Sequence, residues 1–265
     1  MTFTEDLIAS DPEGYRLATQ SPFLTAAAAG TCPKSHLSYW LSNDRLYIHS
    51  YIRGAGRLLS TVHLPDLVPD DLTTPQKLII WLTDALCNIN RELAFFHKTA
   101  AEYRLKLNLP AKDGVVEPTA KLEGLHRFEK LFASFETGEE VLPWLEGAVL
   151  FYATEKCYLD AWTGVKDALE PGKDGSDDAD GGALRNAFIP NWTNDDFWQF
   201  VNAMRVTIEH GVAEAVEAGK ASEEELKKRA LAVWNQVLLA EKEFWPDMTK
   251  EYFGEAESKV IKFSV

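Results

Sequence analysis

Long segments with the apolar periodicity of α-helices cover most of this 265-residue chain and constrain its fold more than any other feature. Apolar residues recur at intervals of three and four, the spacing that builds one face of a helix. No alternating strand-like segments joined by tight Asn-Gly or Asp-Gly hairpin turns are expected. Helices of this length must bury their apolar stripes against one another. The sequence therefore predicts an all-α, single-domain multi-helix bundle spanning residues 1–265.

Glycine, proline and capping residues set the predicted helix boundaries. Gly30 ends a first segment, Thr74 before a proline starts a later helix, and Ser222 opens a capping box for the last one. The predicted helices are Glu13–Ala29, Ser35–Val62, Thr74–Leu105, Lys121–Phe135, Pro143–Leu169, Asp195–Ala218 and Ser222–Tyr252. We expect a loop at Pro110–Glu117 and an extended tail at Ser258–Val265.

Residues 170–182, EPGKDGSDDADGG, differ in composition from the rest of the chain. This stretch is acidic, rich in glycine and without large apolar side chains to anchor it. Such a composition is typical of disorder. A disordered acidic surface loop is the prediction for this segment.

Charge and cysteine content limit the classes of partner and compartment. With 27 basic and 41 acidic residues, the formal net charge is −14, which argues against binding to nucleic acid or to anionic membranes. Cys32, Cys87 and Cys157 have no zinc-like spacing, and neither a signal peptide nor an apolar span is visible. We therefore expect a cytoplasmic protein that binds neither nucleic acid nor membrane.

Three acidic residues occupy helix positions where apolar side chains are normal. Residues three, four and seven positions away share a helix face. For Asp44 these neighbours are Trp40, Leu41, Tyr47, Ile48 and Tyr51; for Glu155 they include Phe151, Tyr152, Tyr158 and Trp162; for Glu241 they include Trp234, Leu238, Phe244 and Trp245. Burying an ionised carboxylate without a partner costs several kcal/mol. Three such positions on three long helices indicate a shared site.

A helical bundle builds ligand sites in its core from side chains on facing helices. Carboxylates among aromatic walls suit a flat, nitrogen-rich heterocycle that forms cations. Two other interpretations stay open at this point: a carboxylate metal site and a polar network within the core. Di-iron bundles use sets of Glu-x-x-His ligands, which the six histidines do not supply. We expect no metal and no cofactor, with a metal- or haem-dependent oxygenase as the less favoured alternative.

Several motifs resemble those of the TenA/thiaminase-II family of haem-oxygenase-like helical proteins. Residues 21–24, 30–32 and 39–47 (SPFL, GTC and YWLSNDRLY) resemble the family stretch "PF…L..G.L…F..YL.QD..Y". Residues 188–197 (FIPNWTNDDF) resemble "WI..Y.s.eF", and residues 241–245 (EKEFW) resemble "E..FW". The resemblance spans most of the chain and implies a haem-oxygenase-like, all-α fold that commonly forms a homo-oligomer.

The resemblance also implies an activity, the hydrolytic salvage of thiamin-related aminopyrimidines with release of an amine or formamide. Asp44 is then expected to bind the nitrogens of the pyrimidine, Tyr47 to form an aromatic wall, and Glu241 to transfer protons. The other predicted substrate-binding residues are Trp40, Tyr51, Trp192 and Phe244. The predicted partner is a small heterocyclic substrate.

The chain departs from the family at its nucleophile. One branch carries a cysteine in a "LPC.W.Y" stretch, and in our alignment Tyr152 takes the position of that cysteine. Cys157 lies five residues further on, about 140° around the helix, and is expected to be a buried structural thiol. The chain therefore resembles the branch that lacks the cysteine, and Glu155, one turn from Tyr152, is the predicted replacement. Glu241, Glu155 and Tyr152 are the predicted catalytic residues; a binding protein without catalysis is the alternative.

Overall fold

The computed structural model describes residues 1–134 and 144–253. It begins with three short helices, α1 (Phe3–Ser10), α2 (Pro12–Thr19) and α3 (Pro22–Ala29). The prediction of one helix over Glu13–Ala29 is wrong, because Ser21 accepts a hydrogen bond from the backbone N–H of Leu24 and starts a new helix. A serine N-cap followed by proline at the first helical position is a start signal.

Two long helices follow, close to the predicted boundaries. Helix α4 spans Lys34–Thr61 and helix α5 spans Thr74–Tyr103. Thr73, one residue earlier than predicted, caps α5 in a reciprocal capping box with Gln76. Both helices are confirmed, because each buries apolar side chains at helical spacing and α5 also has a strong start signal.

The segment after α5 contains a small hairpin that the sequence reasoning missed. Strands β1 (Ala111–Lys112) and β2 (Val115–Val116) pair antiparallel around Asp113 and Gly114. Both turn residues have positive φ, 53° and 78°, as a tight Asp-Gly turn requires. The expectation that Asp-Gly hairpins are missing is therefore wrong, since two-residue strands are too short to show alternation.

The next helices are α6 (Glu123–Ala133) and α7 (Leu145–Asp167). Both lie within the predicted helices, whose ends at Phe135 and Pro143 fall outside the described residues. A short 3₁₀ helix, Pro118–Ala120, precedes α6.

The prediction of a disordered loop over residues 170–182 is not what the structure shows. The segment forms a series of turns, and the side chains of Asp178 and Arg185 form an ion pair in which both are under a tenth exposed. The Asp180 carboxylate accepts hydrogen bonds from the backbone N–H groups of Gly182 and Leu184. These acidic side chains anchor the segment, so its composition was a poor guide to its order.

The last part of the chain returns to long helices. A π-helical stretch, Leu184–Phe188, continues into α8 (Ile189–Trp192), followed by α9 (Asp195–Glu217) and α10 (Glu223–Lys242). Helix α10 ends ten residues before the predicted Tyr252, because Pro246 disfavours helical geometry at the residue before it. The predicted extended tail at Ser258–Val265 lies outside the described residues.

The helices pack as an all-α bundle around one continuous group of buried apolar side chains. Helix α10 packs against α7, α2 and α6, α4 packs against α5 and α6, and α9 packs against α7 and α5. Facing sides of α4, α5, α7 and α10 therefore surround a common interior. Within the described residues, no helix has the length and apolar character needed to cross a membrane.

Candidate functional site

A cavity of about 290 Å³ lies between α4, α5, α7, the α8–α9 junction and the end of α10. It is lined by eight of the nine predicted site residues: Trp40, Asp44, Tyr47, Tyr51, Glu155, Trp192, Glu241 and Phe244. On α4 the lining positions are spaced by four, three and four residues, which places them on one face of the helix. The bundle thus brings side chains from distant parts of the sequence into one pocket.

Four acids of the cavity lining are buried or half-buried, and we call them the cavity acids: Asp44, Glu92, Glu155 and Glu241; Asp196 also lines the cavity but is exposed. Of these four, Asp44 and Glu241 have no hydrogen-bond partner in residues 1–134 and 144–253. Both residues are about 5% exposed, and each comes from a different helix, α4 or α10. Burial raises the pKa of both carboxyls well above the ordinary range. The charges of Glu92 and Glu155 add to the shift at Asp44, and those of Asp44 and Glu155 add to the shift at Glu241. Two desolvated carboxyls that face a cavity are suited to bind the nitrogens of a ligand.

Glu155 has a different environment, because Tyr51 donates a hydrogen bond from its hydroxyl to Oε1 at 2.6 Å. Burial raises the pKa of Glu155 to about 7, the phenolic hydrogen bond opposes this shift, and the charge of Glu92 adds to it. A carboxyl with a pKa near neutrality can accept or release a proton under physiological conditions. Glu155 is thus the cavity acid best suited to acid–base chemistry.

A fourth carboxyl, Glu92 on α5, was not among the predicted site residues. It lines the cavity, and its two oxygens accept hydrogen bonds from Trp192 Nε1 at 2.6 Å and Asn191 Nδ2 at 2.9 Å. Burial raises its pKa, while these two donors oppose the shift. Its helix neighbours include the polar Asn88, so the apolar-face criterion did not identify it.

Aromatic rings form the walls around these carboxyls. The Trp40 and Trp192 rings meet edge to face, with centroids 5.5 Å apart, and Tyr158 contacts Trp192 in the same way at 5.5 Å. Tyr47 packs against Phe244 with centroids 5.8 Å apart. Rings in such arrangements are held rigidly by their neighbours. The cavity therefore has flat apolar surfaces with acidic groups between them.

Solved structures with the same architecture share a family name. A TenA homologue from Pyrococcus furiosus superposes with a TM-score of 0.66 and 25% identity, over 92% of this chain and 98% of that chain. A second TenA homologue, from P. horikoshii, gives a TM-score of 0.63 at 15% identity, over 92% of this chain and 99% of that chain. The chain has a TenA-family fold. No family model matches the sequence itself.

Two further similar proteins carry names that refer to transcription. A structure from a Silicibacter species, described as a TenA family transcription regulator, has a TM-score of 0.64 at 12% identity, over 92% of this chain and 94% of that chain. A probable transcription factor from Fusarium pseudograminearum is 23% identical over 251 residues, which are 83% of this chain and 48% of that protein. The chain spans about half the length of this curated relative.

The structure does not place Tyr152 in the cavity of this TenA-like bundle. Its ring packs against Trp234 at a centroid distance of 6.3 Å, and burial raises the pKa of Tyr152 to about 12. Positions 152 and 155 differ by roughly 60° around a helix, so one can face the cavity while the other faces α10. The catalytic assignment of Tyr152 is therefore corrected.

Thr154 and Tyr158 of α7 line the cavity where Tyr152 does not. They are four residues apart, the same spacing as the cysteine and tyrosine of the TenA motif "LPC.W.Y". In this register Thr154, whose side chain lies within hydrogen-bonding reach of Tyr47, takes the position of the cysteine. The same register follows from the sequence if Tyr158 is aligned with the tyrosine of the motif. Our alignment used the apolar residues before Tyr152 instead, and so placed Tyr152 at the cysteine position.

Cys157 is buried, and it is absent from the cavity lining among the described residues. Burial raises the pKa of its thiol well above the ordinary value, so the nucleophilic thiolate form is disfavoured. This geometry agrees with the interpretation of Cys157 as a structural thiol.

Metal-ligand groupings were also sought across residues 1–134 and 144–253. Within this part of the chain, no three His, Cys, Asp or Glu side chains lie close enough together to hold a metal ion. One Glu-x-x-His spacing does occur, Glu123 and His126 on α6, but His126 pairs instead with Glu129 and the carbonyl of Pro118.

Proposed function

We propose that this protein binds a thiamin-related aminopyrimidine in the acidic aromatic cavity and hydrolyses it, with release of an amine or formamide. The observation that carries this proposal is the pair Asp44 and Glu241, two buried carboxyls that face the cavity without a hydrogen-bond partner in the described part of the chain. Unsatisfied buried carboxyls are costly. A ligand with ring and amino nitrogens offsets that cost.

The size and walls of the cavity support a ligand of this class. Its volume of about 290 Å³ lies at the lower end of the range for small-molecule sites. The lining includes the flat rings of Trp40, Trp192 and Tyr47, which offer apolar surfaces to a planar ligand. A single substituted pyrimidine fits these dimensions better than a larger cofactor does. Asp44 then binds the ring and amino nitrogens while the aromatic walls fix the ring plane.

The proposed reaction is hydrolysis at the exocyclic carbon–nitrogen bond. Glu155 in its ionised form accepts a proton from a water molecule, whose oxygen bonds to the methylene carbon of the substrate. The carbon–nitrogen bond breaks, the nitrogen leaves with the bonding electron pair, and the proton taken from water ends on that nitrogen. Glu241 relays this proton: it donates its own proton to the leaving nitrogen and is then reprotonated by Glu155. The products are a hydroxymethylpyrimidine and either ammonia or formamide.

A non-catalytic pyrimidine-binding protein is the second candidate, and one observation favours it. None of the three cysteines lies in the cavity lining of the described residues, so the nucleophile of the cysteine-bearing TenA branch has no equivalent thiol here. Thr154 in that position has a hydroxyl, which is far less acidic than a thiol. Such a protein would keep the ligand-binding carboxyls and lack turnover.

The transcription names of two similar proteins do not lead us to propose contact with DNA. The net charge of −14 opposes binding to phosphates, which requires clustered lysine and arginine. We propose that the ligand is a small heterocycle and that neither nucleic acid nor membrane is a partner. From the family resemblance we also propose a single-domain, cytoplasmic homo-oligomer, whose mass can be measured by light scattering after gel filtration.

The test is a product assay with purified protein and two substrates, an aminomethyl 4-aminopyrimidine and its N-formyl derivative. The hydrolase proposal predicts release of ammonia or formamide, lost in Glu155→Gln and Glu241→Gln but retained in Glu243→Gln. Glu243 is a suitable control because it pairs with Arg127 outside the cavity. Absence of turnover together with a ligand-induced rise in Tm supports the binding protein instead. Elemental analysis and an absorption spectrum of the same sample test the oxygenase alternative.

A further inference from the structure

Glu92 is held differently from the other three cavity acids. Trp192 Nε1 donates to one of its oxygens and Asn191 Nδ2 to the other, at 2.6 and 2.9 Å. Both groups are pure donors at these atoms, so the arrangement favours the ionised carboxylate and fixes its plane. Trp192 and Asn191 come from α8, a hundred residues away in sequence. The fold therefore positions this one carboxylate with two dedicated donors.

The Glu92 carboxylate has no cationic partner in residues 1–134 and 144–253. The adjacent Arg91 is exposed, and its guanidinium donates to Asn88 Oδ1 at 2.8 Å instead. Glu92 is close enough to Asp44 and Glu155 for its charge to act on both. Arg91 also lines the cavity, but its guanidinium is not paired with Glu92, so the fixed anion beside two other acids creates a negative potential at this point of the cavity.

We propose that Glu92 selects ligands that carry an ammonium group, such as the protonated aminomethyl substituent of an aminopyrimidine. This inference rests on the proposed function for the identity of the ring, but the role of Glu92 depends only on its own contacts. The ammonium donates to the free lone pairs of the carboxylate, in a charge-assisted hydrogen bond that is stronger than a neutral one. Neutral substituents, hydroxymethyl or N-formyl, forgo that interaction.

The variant Glu92→Gln removes the charge and keeps the shape of the side chain. The glutamine oxygen still accepts from Trp192 Nε1. Rotation of the Asn191 amide turns its oxygen towards the new NH₂ group, so both contacts are retained. We expect the variant to fold with an unchanged Tm. Glu102→Gln, an exposed position on the same helix, is the matched control.

The experiment compares two 4-aminopyrimidines that differ only in an aminomethyl or hydroxymethyl substituent, titrated by calorimetry at pH 7. Glu92→Gln is expected to weaken binding of the aminomethyl ligand by about tenfold or more. Binding of the hydroxymethyl ligand is expected to change by less than about threefold. Glu102→Gln is expected to change neither. Equal losses for both ligands, or no loss for either, overturn the proposal.

A second ligand pair separates this inference from the proposed function. If the wild-type protein binds neither pyrimidine, the proposed function fails. The role of Glu92 can then be tested by comparing the affinities of benzylamine and benzyl alcohol for the same aromatic cavity. A loss confined to benzylamine in Glu92→Gln supports ammonium selection. Failure of the wild type to prefer benzylamine overturns it.

Discussion

At the scale of single residues, the four cavity acids differ in the number of donors that reach them. Asp44 and Glu241 receive none from the described residues, Glu155 receives one, and Glu92 receives two. Hydrogen bonds to a carboxylate favour its ionised form, whereas desolvation favours the protonated form. The cavity therefore combines acids suited to bind nitrogens with one suited to proton transfer and one suited to bind a cation.

Tyr51 controls the titration of Glu155 in this account. Tyr51→Phe removes the hydrogen bond that favours the ionised form, so the pKa of Glu155 is expected to rise from about 7. The loss of one charged hydrogen bond corresponds to a shift of about one pH unit. The pH at which kcat/KM reaches half of its maximum should therefore increase by about one pH unit in Tyr51→Phe. A titration of the Glu155 carboxyl followed by carbon-13 NMR measures the same shift without turnover. An unchanged midpoint contradicts this role.

Part of the site could be predicted from residue spacing alone. Asp44, Glu155 and Glu241 have aromatic or apolar neighbours at helical spacing, so each was identified as a buried acid. Glu92 was missed because the polar residues Asn88 and Thr99 interrupt the apolar face of its helix, and its donors Asn191 and Trp192 come from a distant part of the chain. Tyr152 was misplaced because a short motif match did not fix the rotation of α7 about its axis.

At the scale of elements, a close contact between α6 and the end of α10 positions Glu241. A Cβ atom at Gly124 would lie 2.4 Å from the backbone oxygen of Ala240 and 2.5 Å from the backbone nitrogen of Phe244. The backbone N–H of Gly124 also donates to the carbonyl of Glu243 at 3.1 Å. Only glycine allows the two backbones to approach this closely.

Gly124→Ala is expected to push α6 away from α10 and displace Glu241. Overpacking of this kind costs about 1–3 kcal/mol, and ligand affinity should fall with stability. Gly56→Ala is the control, since a Cβ atom there meets nothing within 4 Å on exposed α4 surface, and it should be neutral or stabilise by about 0.5–1 kcal/mol. Urea unfolding and calorimetry measure both effects. Equal free energies of unfolding for Gly124→Ala and Gly56→Ala would contradict a close contact between α6 and the end of α10.

The segment 170–182 depends on a buried ion pair between Asp178 and Arg185. Arg185→Met leaves Asp178 buried without its partner, so the free energy of unfolding is expected to fall by about 2–3 kcal/mol. Lys173→Met breaks the exposed pair with Glu170 in the same segment, where at least half of each side chain is accessible, and should change stability by less than about 0.5 kcal/mol. Similar urea midpoints for Arg185→Met and Lys173→Met would indicate that residues 170–182 form a disordered loop.

Helix boundaries were predicted best where the sequence marks the ends of the helix clearly. Helices α4, α5 and α9 were placed within two residues because all three have apolar faces, and side-chain caps at Thr73 and Asn194 also mark the starts of α5 and α9. The end of α10 was missed because its apolar pattern continues past Pro246 into a non-helical segment. The order of residues 170–182 depends on contacts with the carbonyl of Gly30 and with Arg185, which composition cannot show.

At the scale of the whole molecule, the buried acids link stability to pH. Burial raises the pKa of Glu155 from an ordinary 4.5 to about 7, so the folded protein binds more protons than the unfolded chain between these values. The free energy of unfolding therefore falls as pH rises through this window. Because the cavity exposes part of the side chain, the loss is on the order of 1–3 kcal/mol. Function thus has a cost in stability at neutral pH.

Glu155→Gln is expected to remove this dependence. The variant should match the wild type at pH 4, where the carboxyl is protonated in both states, and exceed it at pH 8 by about 1–3 kcal/mol. Urea unfolding at the two pH values measures the difference, and Glu243→Gln, paired with Arg127, should show no such gain. If the free energy of unfolding depends on pH equally in the wild type and in Glu155→Gln, the pKa of Glu155 is not raised in the folded protein.

Asp44 and Glu241 are the two carboxyls that we propose bind the nitrogens of an aminopyrimidine. Calorimetric titration of a 4-aminopyrimidine into the wild type, Asp44→Asn, Glu241→Gln and the control Glu243→Gln tests this proposal most directly. We expect equal affinity for the wild type and the control, and a loss of about tenfold or more in each cavity variant with no fall in Tm. Wild-type affinity in both cavity variants would contradict it.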